Sequence, residues 1–166
     1  MKKILMIFLA TSITFGLTMF INDSDVSTSI TSGLAFGIFM TVILGAMNYL
    51  LVKRVGGKAE SSVKQETEIE LYLPYKDSFE LCKNSLSSIN GTKITHEDVE
   101  KGIIQAKTGV NIQTWGDKLE FHIQKVDEEV SKVWVQSRPI VPTTLIDYGK
   151  NLNNIKRITN HLEENR

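Results

Sequence analysis

The stretches ILMIFLATSITFGLTMFI (residues 4–21) and LAFGIFMTVILGAMNYLLV (residues 34–52) decide how this chain is built. Neither stretch contains a charged residue. At about 1.5 Å per residue, helices of these lengths reach about 27 to 28 Å, close to the thickness of the hydrocarbon core of a bilayer. We therefore expect residues 1–54 to form a transmembrane hairpin of two helices.

The charges around the two stretches predict the orientation of this hairpin. Basic residues lie before the first stretch and after the second: Lys2, Lys3, Lys53, Arg54 and Lys58. The segment between the stretches carries only Asp23 and Asp25. The positive-inside rule therefore places both chain termini in the cytoplasm, as in a multi-pass protein of a bacterial inner membrane. Abundant Lys, Asn and Ile with few Arg and Pro are consistent with a bacterial, AT-rich genome.

An alternative interpretation makes residues 1 to about 20 a cleaved signal peptide, since a basic start before an apolar core has that shape. The apolar stretch is longer than a usual signal core, and no small-x-small cleavage site follows it before Asp23. Cleavage would leave the second helix running from outside to inside. The C-terminal part of the chain is expected in the cytosol under either interpretation.

Small residues recur at every fourth position in and directly before the second stretch, at Gly33, Gly37, Thr41 and Gly45, and in the first stretch at Ala10, Thr14 and Thr18. Such stripes let helix backbones approach closely in lipid. They predict that the hairpin packs against itself, and a dimerisation face is the alternative.

Composition changes after the second stretch. Residues 55–65 mix Gly and Ser with charges and are typical of a flexible linker. Residues 66–166 are enough for one compact domain. From Lys64 onward we count 14 Lys plus Arg and 16 Asp plus Glu, a net charge of −2. A nucleic-acid partner is therefore not expected, because such a domain would carry a basic bias.

The segment from about Lys76 to Ile89 predicts an amphipathic helix. Phe79, Cys82, Leu86 and Ile89 recur at helical spacing, and Asp77 with Glu80 offers a capping box. Cys82, the single cysteine, excludes an internal disulfide and lies on the core stripe, where burial makes a thiol inert.

Alternating apolar residues around this helix predict half-buried strands. They lie at residues 69–73, 119–123 and 133–135, with shorter candidates at 93–96 and 104–106 and a hairpin connection at Asp127-Glu128-Glu129. A second amphipathic helix is expected from about Asp147. The fold class is therefore α+β, a cytosolic antiparallel sheet covered on one face by two helices.

The last third of the chain carries distinctive local sequence: Ser137-Arg138, then Asp147, Gly149 and Asn151, then Arg157-Ile158. Over about thirty residues it resembles the C-terminal end of a bacterial family of domains of unknown function, numbered fourteen ninety-nine. The resemblance implies a similar fold and no mechanism. The segment Pro139 to Ile146 would be an insertion relative to that family.

Arg138, Asp147 and Asn151 form one candidate ligand site. Gathered at one end of the sheet, they would hold an anionic group by an arginine contact and helix N-terminal amides. In the alternative, Asp147 caps the last helix and pairs with Arg138 to fix the loop between them.

A second candidate site follows from strand parity. Tyr72, His122 and Trp134 are predicted on the face opposite the apolar set, and Trp115 lies in a turn close by in the sequence. Aromatic side chains on a polar face often anchor a protein partner, although isolated exposed aromatics are common.

No catalytic motif is evident, and we do not expect an enzyme. His96, His122 and His161 lie far apart, so neither a metal nor another cofactor is expected. A membrane-held binding or adaptor module is the leading hypothesis. A sensor of a small anionic ligand or lipid headgroup is the second, and an enzyme without a recognisable motif is the third. A pocket lined by Arg138 and Asn151 would favour the sensor, and a flat aromatic patch would favour the adaptor.

Overall fold

The computed structural model describes residues 2–23, 25–58, 62–110 and 114–166. The chain begins with two long helices, α1 (Lys2–Asp23) and α2 (Val26–Arg54). Both are long and apolar enough to cross a membrane. The Asp25 carboxylate accepts the backbone N–H of Thr28 at 2.6 Å and caps α2.

Glycines bring α1 and α2 together. A Cβ added at Gly33 would lie 2.7 Å from the carbonyl oxygen of Ser12, so only glycine permits this approach. Gly37 also lies against Ser12, and Phe15 stacks on Phe36 with ring centroids 4.3 Å apart. The expectation that α2 packs within the hairpin is confirmed for these two glycines.

The α1 stripe of Ala10, Thr14 and Thr18 does not lie in this contact, and that expectation is wrong. All three residues are exposed. The hydroxyls of Thr14 and Thr18 donate to carbonyl oxygens one turn earlier in their own helix. Ser12 and Gly16, which are smaller than threonine, face α2 instead and allow the closer approach.

The remainder of the chain forms the predicted α+β fold. Its elements in order are β1 (Gln65–Leu71), α3 (Tyr75–Ser85), a 3-10 turn (Leu86–Ser88), β2 (Lys93–Asp98), β3 (Ile103–Lys107), β4 (Asp117–Lys125), β5 (Ser131–Pro139) and α4 (Lys150–Glu164). The strands form one antiparallel sheet in the order β1-β5-β4-β3-β2. The two helices α3 and α4 cover one face of the sheet.

The core lies between this face and the helices. Strands β4 and β5 contribute buried side chains at alternate positions, among them Phe121 and Val135. Phe79 and Cys82 of α3 and Ile158 of α4 complete it. The alternation predicted for residues 119–123 and 133–135 is confirmed, and none of the helices in the described part of the chain covers the opposite face of the sheet.

The start of α3 differs from the prediction. The helix begins at Tyr75, directly after Pro74, whose φ of −54° already suits a helix entry. Asp77 therefore lies within the first turn and forms no capping box with Glu80. It still complements the positive end of the helix dipole.

The end of α2 packs on the start of α4. Val52 is 3% exposed, and a Cβ at Gly149 would lie 3.2 Å from the Val52 Cα. Gly149 also has φ +74°, a conformation that other residues adopt at a cost. Lys156 donates to the Val55 carbonyl oxygen at 2.6 Å. Residues 55–58, at the start of the predicted linker, thus lie beside α4, whereas residues 59–61 are outside the described part of the chain.

Candidate functional site

The uncovered face of the sheet carries an aromatic pair at its centre. His122 on β4 and Trp134 on β5 are direct cross-strand partners. Their rings meet edge to face with centroids 5.2 Å apart. Strand parity places both side chains on this face, as the sequence predicted, because their neighbours Phe121 and Val135 point into the core.

A groove of about 340 Å³ surrounds this pair, and we call it the aromatic groove. It is lined by Glu68, His122, Gln124, Lys132 and Trp134. Lys132 pairs with Glu68 at 2.8 Å, and this ion pair raises the pKa of the Lys132 ammonium. The groove therefore offers an apolar ring surface flanked by both signs of charge, a combination suited to a protein partner.

The other two predicted aromatic residues lie apart from this groove. Tyr72 follows the end of β1 and is 70% exposed. Trp115 lies in the turn before β4, at the end of that strand opposite to the His122 half, and is 75% exposed. The structure brings together His122 and Trp134 and leaves Tyr72 and Trp115 outside the groove lining.

Arg138 and Asn151 lie on opposite sides of the sheet. The Ser137 hydroxyl donates to Asn151 Oδ1 at 2.7 Å, so the residue after Ser137 on β5 must point to the uncovered face. Arg138 there lines a separate groove with Lys107 and Lys118. The three residues Arg138, Asp147 and Asn151 therefore do not meet in one pocket, and the described ion pairs include none between Arg138 and Asp147.

Asp147 and Asn151 do come together, at the start of α4. Asp147 Oδ2 accepts both the backbone N–H and the side-chain Nδ2 of Asn151 at 3.0 Å. Asp147 Oδ1 accepts the N–H of Gly149 at 3.2 Å. The helix begins at Lys150 with Gly149 as its N-cap, so the prediction that Asp147 is the N-cap residue is wrong. Its carboxylate, two residues before the N-cap, nonetheless accepts backbone N–H groups at the start of the helix.

These two residues belong to a buried polar cluster that was not predicted from the sequence. We define the polar cluster as Asp117, Ser137, Asp147, Asn151 and Asn154, all of them buried. Asn154 Nδ2 donates to Asp117 Oδ2 and to Ser137 Oγ, both at 3.1 Å. The cluster fastens α4 to the ends of β4 and β5. Asn151, Asn154 and Ile158 lie on one face of α4 because their spacing matches the helical period. This spacing is the sequence pattern from which part of the cluster could have been predicted.

The electrostatics of the cluster centre on Asp117. Burial raises the pKa of its carboxyl group, and the nearby charge of Asp147 acts in the same direction. Hydrogen bonds from Asn154 and Thr114 and the charge of Lys150 act against this rise, but the net pKa remains raised. Asn154 Oδ1 is buried and has no hydrogen-bond partner among the described residues. Thr108, Thr114 and Asn154 all donate to the Asp117 carboxylate, and a buried carboxylate held by several such donors is typical of a structural cluster.

The other described side chains that could act in catalysis or bind a metal do not come together in one site. Burial raises the pKa of the Cys82 thiol to about 12, which keeps it protonated. Within the described ranges, no three His, Cys, Asp or Glu side chains lie where they could hold a metal ion.

Comparisons with known proteins give fold-level matches at low scores. A di-domain ARO/CYC protein, BexL, from the BE-7585A biosynthetic pathway matches at 12% identity and a TM-score of 0.39. The match covers 61% of this chain and 42% of BexL, so the chain spans less than half of that protein. A protein from Thermobifida fusca matches at 8% identity and a TM-score of 0.40, over 60% of this chain and 95% of its own.

Norcoclaurine synthase from Thalictrum flavum, solved with dopamine and hydroxybenzaldehyde, matches at 8% identity and a TM-score of 0.40. That match covers 61% of this chain and 84% of the synthase. At such identities and scores, none of these matches bears on what this chain binds. No family model and no curated protein matches the chain, and the resemblance to family fourteen ninety-nine stays a prediction.

Proposed function

We propose that this protein is a binding module held at the cytosolic face of a bacterial inner membrane, where the aromatic groove receives a protein partner. The observation that carries the proposal is the His122–Trp134 pair at the centre of a sheet face that none of the described helices covers. Tryptophan in a partly enclosed groove is among the side chains that contribute most to protein–protein binding. Most side chains that line the groove are polar or charged, which suits a protein surface better than a small apolar ligand.

The anchor half of the proposal rests on the two N-terminal helices. Their large apolar side chains point outward along most of their length, for example Leu17 at 58% and Val42 at 64% exposure. Exposure of such an apolar surface to water is unfavourable in free energy, whereas the hydrocarbon core of a bilayer accommodates it. The basic residues at both ends of the hairpin support cytoplasmic termini. If α1 were instead a cleaved signal, α2 alone would still hold the domain in the cytosol.

The same geometry gives less support to the alternatives. A sensor pocket shared by Arg138 and Asn151 would require both side chains on one side of β5, and they lie on opposite sides. A catalytic site would need an accessible activated group, and Cys82 and Asp117 are both buried. We therefore propose binding without catalysis.

The proposal is tested by photo-crosslinking in the source cell with the full-length chain. A photoreactive amino acid replaces Gln124, an exposed residue at the rim of the aromatic groove. We expect one discrete protein adduct that disappears in the Trp134→Ala background, because the variant removes the ring on which the partner rests.

The matched control places the same photoreactive group at Glu163, which is exposed on α4 in the helical layer. It should give no adduct of that mass. An adduct that persists at full yield in Trp134→Ala, or that forms equally from Glu163, would contradict a partner site at the groove. Cooperative urea unfolding of Trp134→Ala verifies that the variant is folded.

A further inference from the structure

One end of the sheet lies next to the end of the membrane-directed helix α2. Val52 of α2 packs on Gly149 at the start of α4. Two residues later, Asn151 bonds to Ser137 near the end of β5. The end of the sheet that carries Ser137 is therefore the end closest to the last turn of α2, where Lys53 and Arg54 are exposed.

At this end, cationic residues form a continuous row across the uncovered face. The strand register pairs Lys93 with Lys107, Lys107 with Lys118, and Lys118 with Arg138. Lys64 precedes Gln65, whose partner is Ser137, so Lys64 lies beside Arg138 and extends the row to the opposite edge of the sheet. We call these five residues the basic row. No sequence pattern reveals it, because its members come from five separate segments.

The charge of the basic row is only partly compensated. Lys64 pairs with Glu66 at 3.0 Å, and Lys118 lies 3.7 Å from Glu120. The ion pairs among the described residues include none formed by Lys93, Lys107 or Arg138. Cross-strand neighbours of like charge repel one another, so an anion bound at this surface would be stabilising.

Apolar side chains accompany the basic row at the same end. Trp115 is 75% exposed in the turn before β4, and Ile140 follows β5 and lines the groove beside Arg138. The backbone joins the two segments, since Ile140 N–H donates to the Gly116 carbonyl oxygen at 3.0 Å. Exposed tryptophan at the same end of a domain as lysine and arginine is a combination found at the membrane–water interface.

We propose that this end of the sheet rests on the anionic surface of the bilayer that holds α2, with the basic row on lipid headgroups and Trp115 at the interface. The inference rests on the proposed membrane anchor and adds an orientation to it. An anionic leaflet attracts basic side chains that lie within about one Debye length of it. Continuity with Lys53 and Arg54 favours the membrane over any other polyanion.

This orientation keeps the aromatic groove accessible. His122 lies four positions beyond Lys118 on β4, which corresponds to about 14 Å along the strand. Lipid contact at the basic row therefore fixes the orientation of the domain, with the aromatic groove directed away from the bilayer. In this orientation the basic row binds the membrane while the aromatic groove stays open to a protein partner in the cytosol.

Lysine footprinting on the full-length chain in nanodiscs tests the proposal. One set of discs contains phosphatidylcholine alone and the other adds phosphatidylglycerol. Acetylation of each lysine is followed by mass spectrometry. We expect Lys93 and Lys107 to react at least about threefold more slowly in the anionic discs, and high salt to remove the difference by screening.

The variant Lys107→Glu with Arg138→Glu should abolish the protection of Lys93. The matched control, Lys101→Glu with Lys125→Glu, reverses two exposed lysines at the far end of the same sheet and should leave the protection intact. Equal acetylation in the two lipids, with the protein retained in the discs, would overturn the lipid contact alone. Failure of the protein to co-elute with either disc would overturn the membrane anchor and this proposal with it.

Discussion

Replacing Asn154 by alanine tests whether the polar cluster fastens α4 to the sheet. The substitution removes two hydrogen bonds of 3.1 Å, one to the Asp117 carboxylate and one to the Ser137 hydroxyl. A bond to a charged group contributes about 1.5 to 3 kcal/mol and a neutral one about 1 kcal/mol. Asn154 Oδ1 has no partner among the described residues, and its removal returns about 1 kcal/mol of desolvation cost. We expect a net loss of about 1.5 to 3 kcal/mol in the free energy of unfolding.

The assay is urea unfolding of the full-length protein in phosphatidylcholine vesicles, followed by tryptophan fluorescence. Both tryptophans of the chain, Trp115 and Trp134, lie in the sheet domain, so the signal reports on that domain alone. With a typical slope for a domain of this size, the expected loss lowers the midpoint by about 1 to 2 M urea.

The control is Asn153→Ala, the same substitution one position earlier on α4. Asn153 is only half-buried, and none of the described side-chain hydrogen bonds that join α4 to the sheet involves it. Its replacement should change the midpoint by less than about 0.5 M, since alanine favours the helix slightly. A shift for Asn154→Ala no larger than that of Asn153→Ala would refute the view that the cluster holds the helix.

Three further predictions concern the charge, the thiol and the hairpin. Because burial raises the pKa of the Asp117 carboxyl, its stabilising contribution is fully present below the ordinary carboxyl pKa and is lost as the pH rises through the raised value. The urea midpoint of the natural protein should therefore rise relative to that of Asp117→Asn as the pH falls from neutral toward 4, and a difference independent of pH would contradict this assignment. The pKa of the Cys82 thiol is raised to about 12, so Cys82 should resist alkylation by iodoacetamide at pH 8 in the folded protein and react once urea unfolds it. The mass of the intact protein reports the alkylation, and rapid alkylation of the folded protein would contradict the burial of Cys82. Gly33→Ala places a Cβ 2.7 Å from the Ser12 carbonyl oxygen and should lower the thermal unfolding midpoint of the detergent-solubilised protein. In the control Gly45→Ala, the added Cβ meets no atom within 4 Å, and the midpoint should stay unchanged. Equal midpoints for the two variants would contradict the close approach of α1 and α2.

The general architecture followed from local patterns. Apolar runs predicted α1 and α2, and alternation predicted the strands that contain Phe121 and Val135, because burial on one face imposes a period of two. The parity of His122 and Trp134 on the uncovered face followed from the same rule. The predicted helix boundaries were less accurate, because the residues near Pro74 are compatible with a helix start at more than one position and tertiary packing selects one of them.

Relations between distant segments could not be obtained this way. The sequence placed Arg138 near Asp147 and Asn151, yet the strand period sends Arg138 to one face while Ser137 reaches Asn151 on the other. The polar cluster joins Asp117 to Asn154, which are 37 positions apart, and no local pattern reports such a contact.

The sequence by itself determined the two apolar helices, the α+β class of the domain, and the side chains that face its core, because each depends on the hydrophobicity of neighbouring residues. The tertiary structure alone decided the strand order and register. That register aligns Lys93, Lys107, Lys118 and Arg138 in one row and sets His122 beside Trp134. Which strands pair, and in which register, depends on how segments far apart in the sequence bury their apolar faces together, so it cannot be deduced from any single segment.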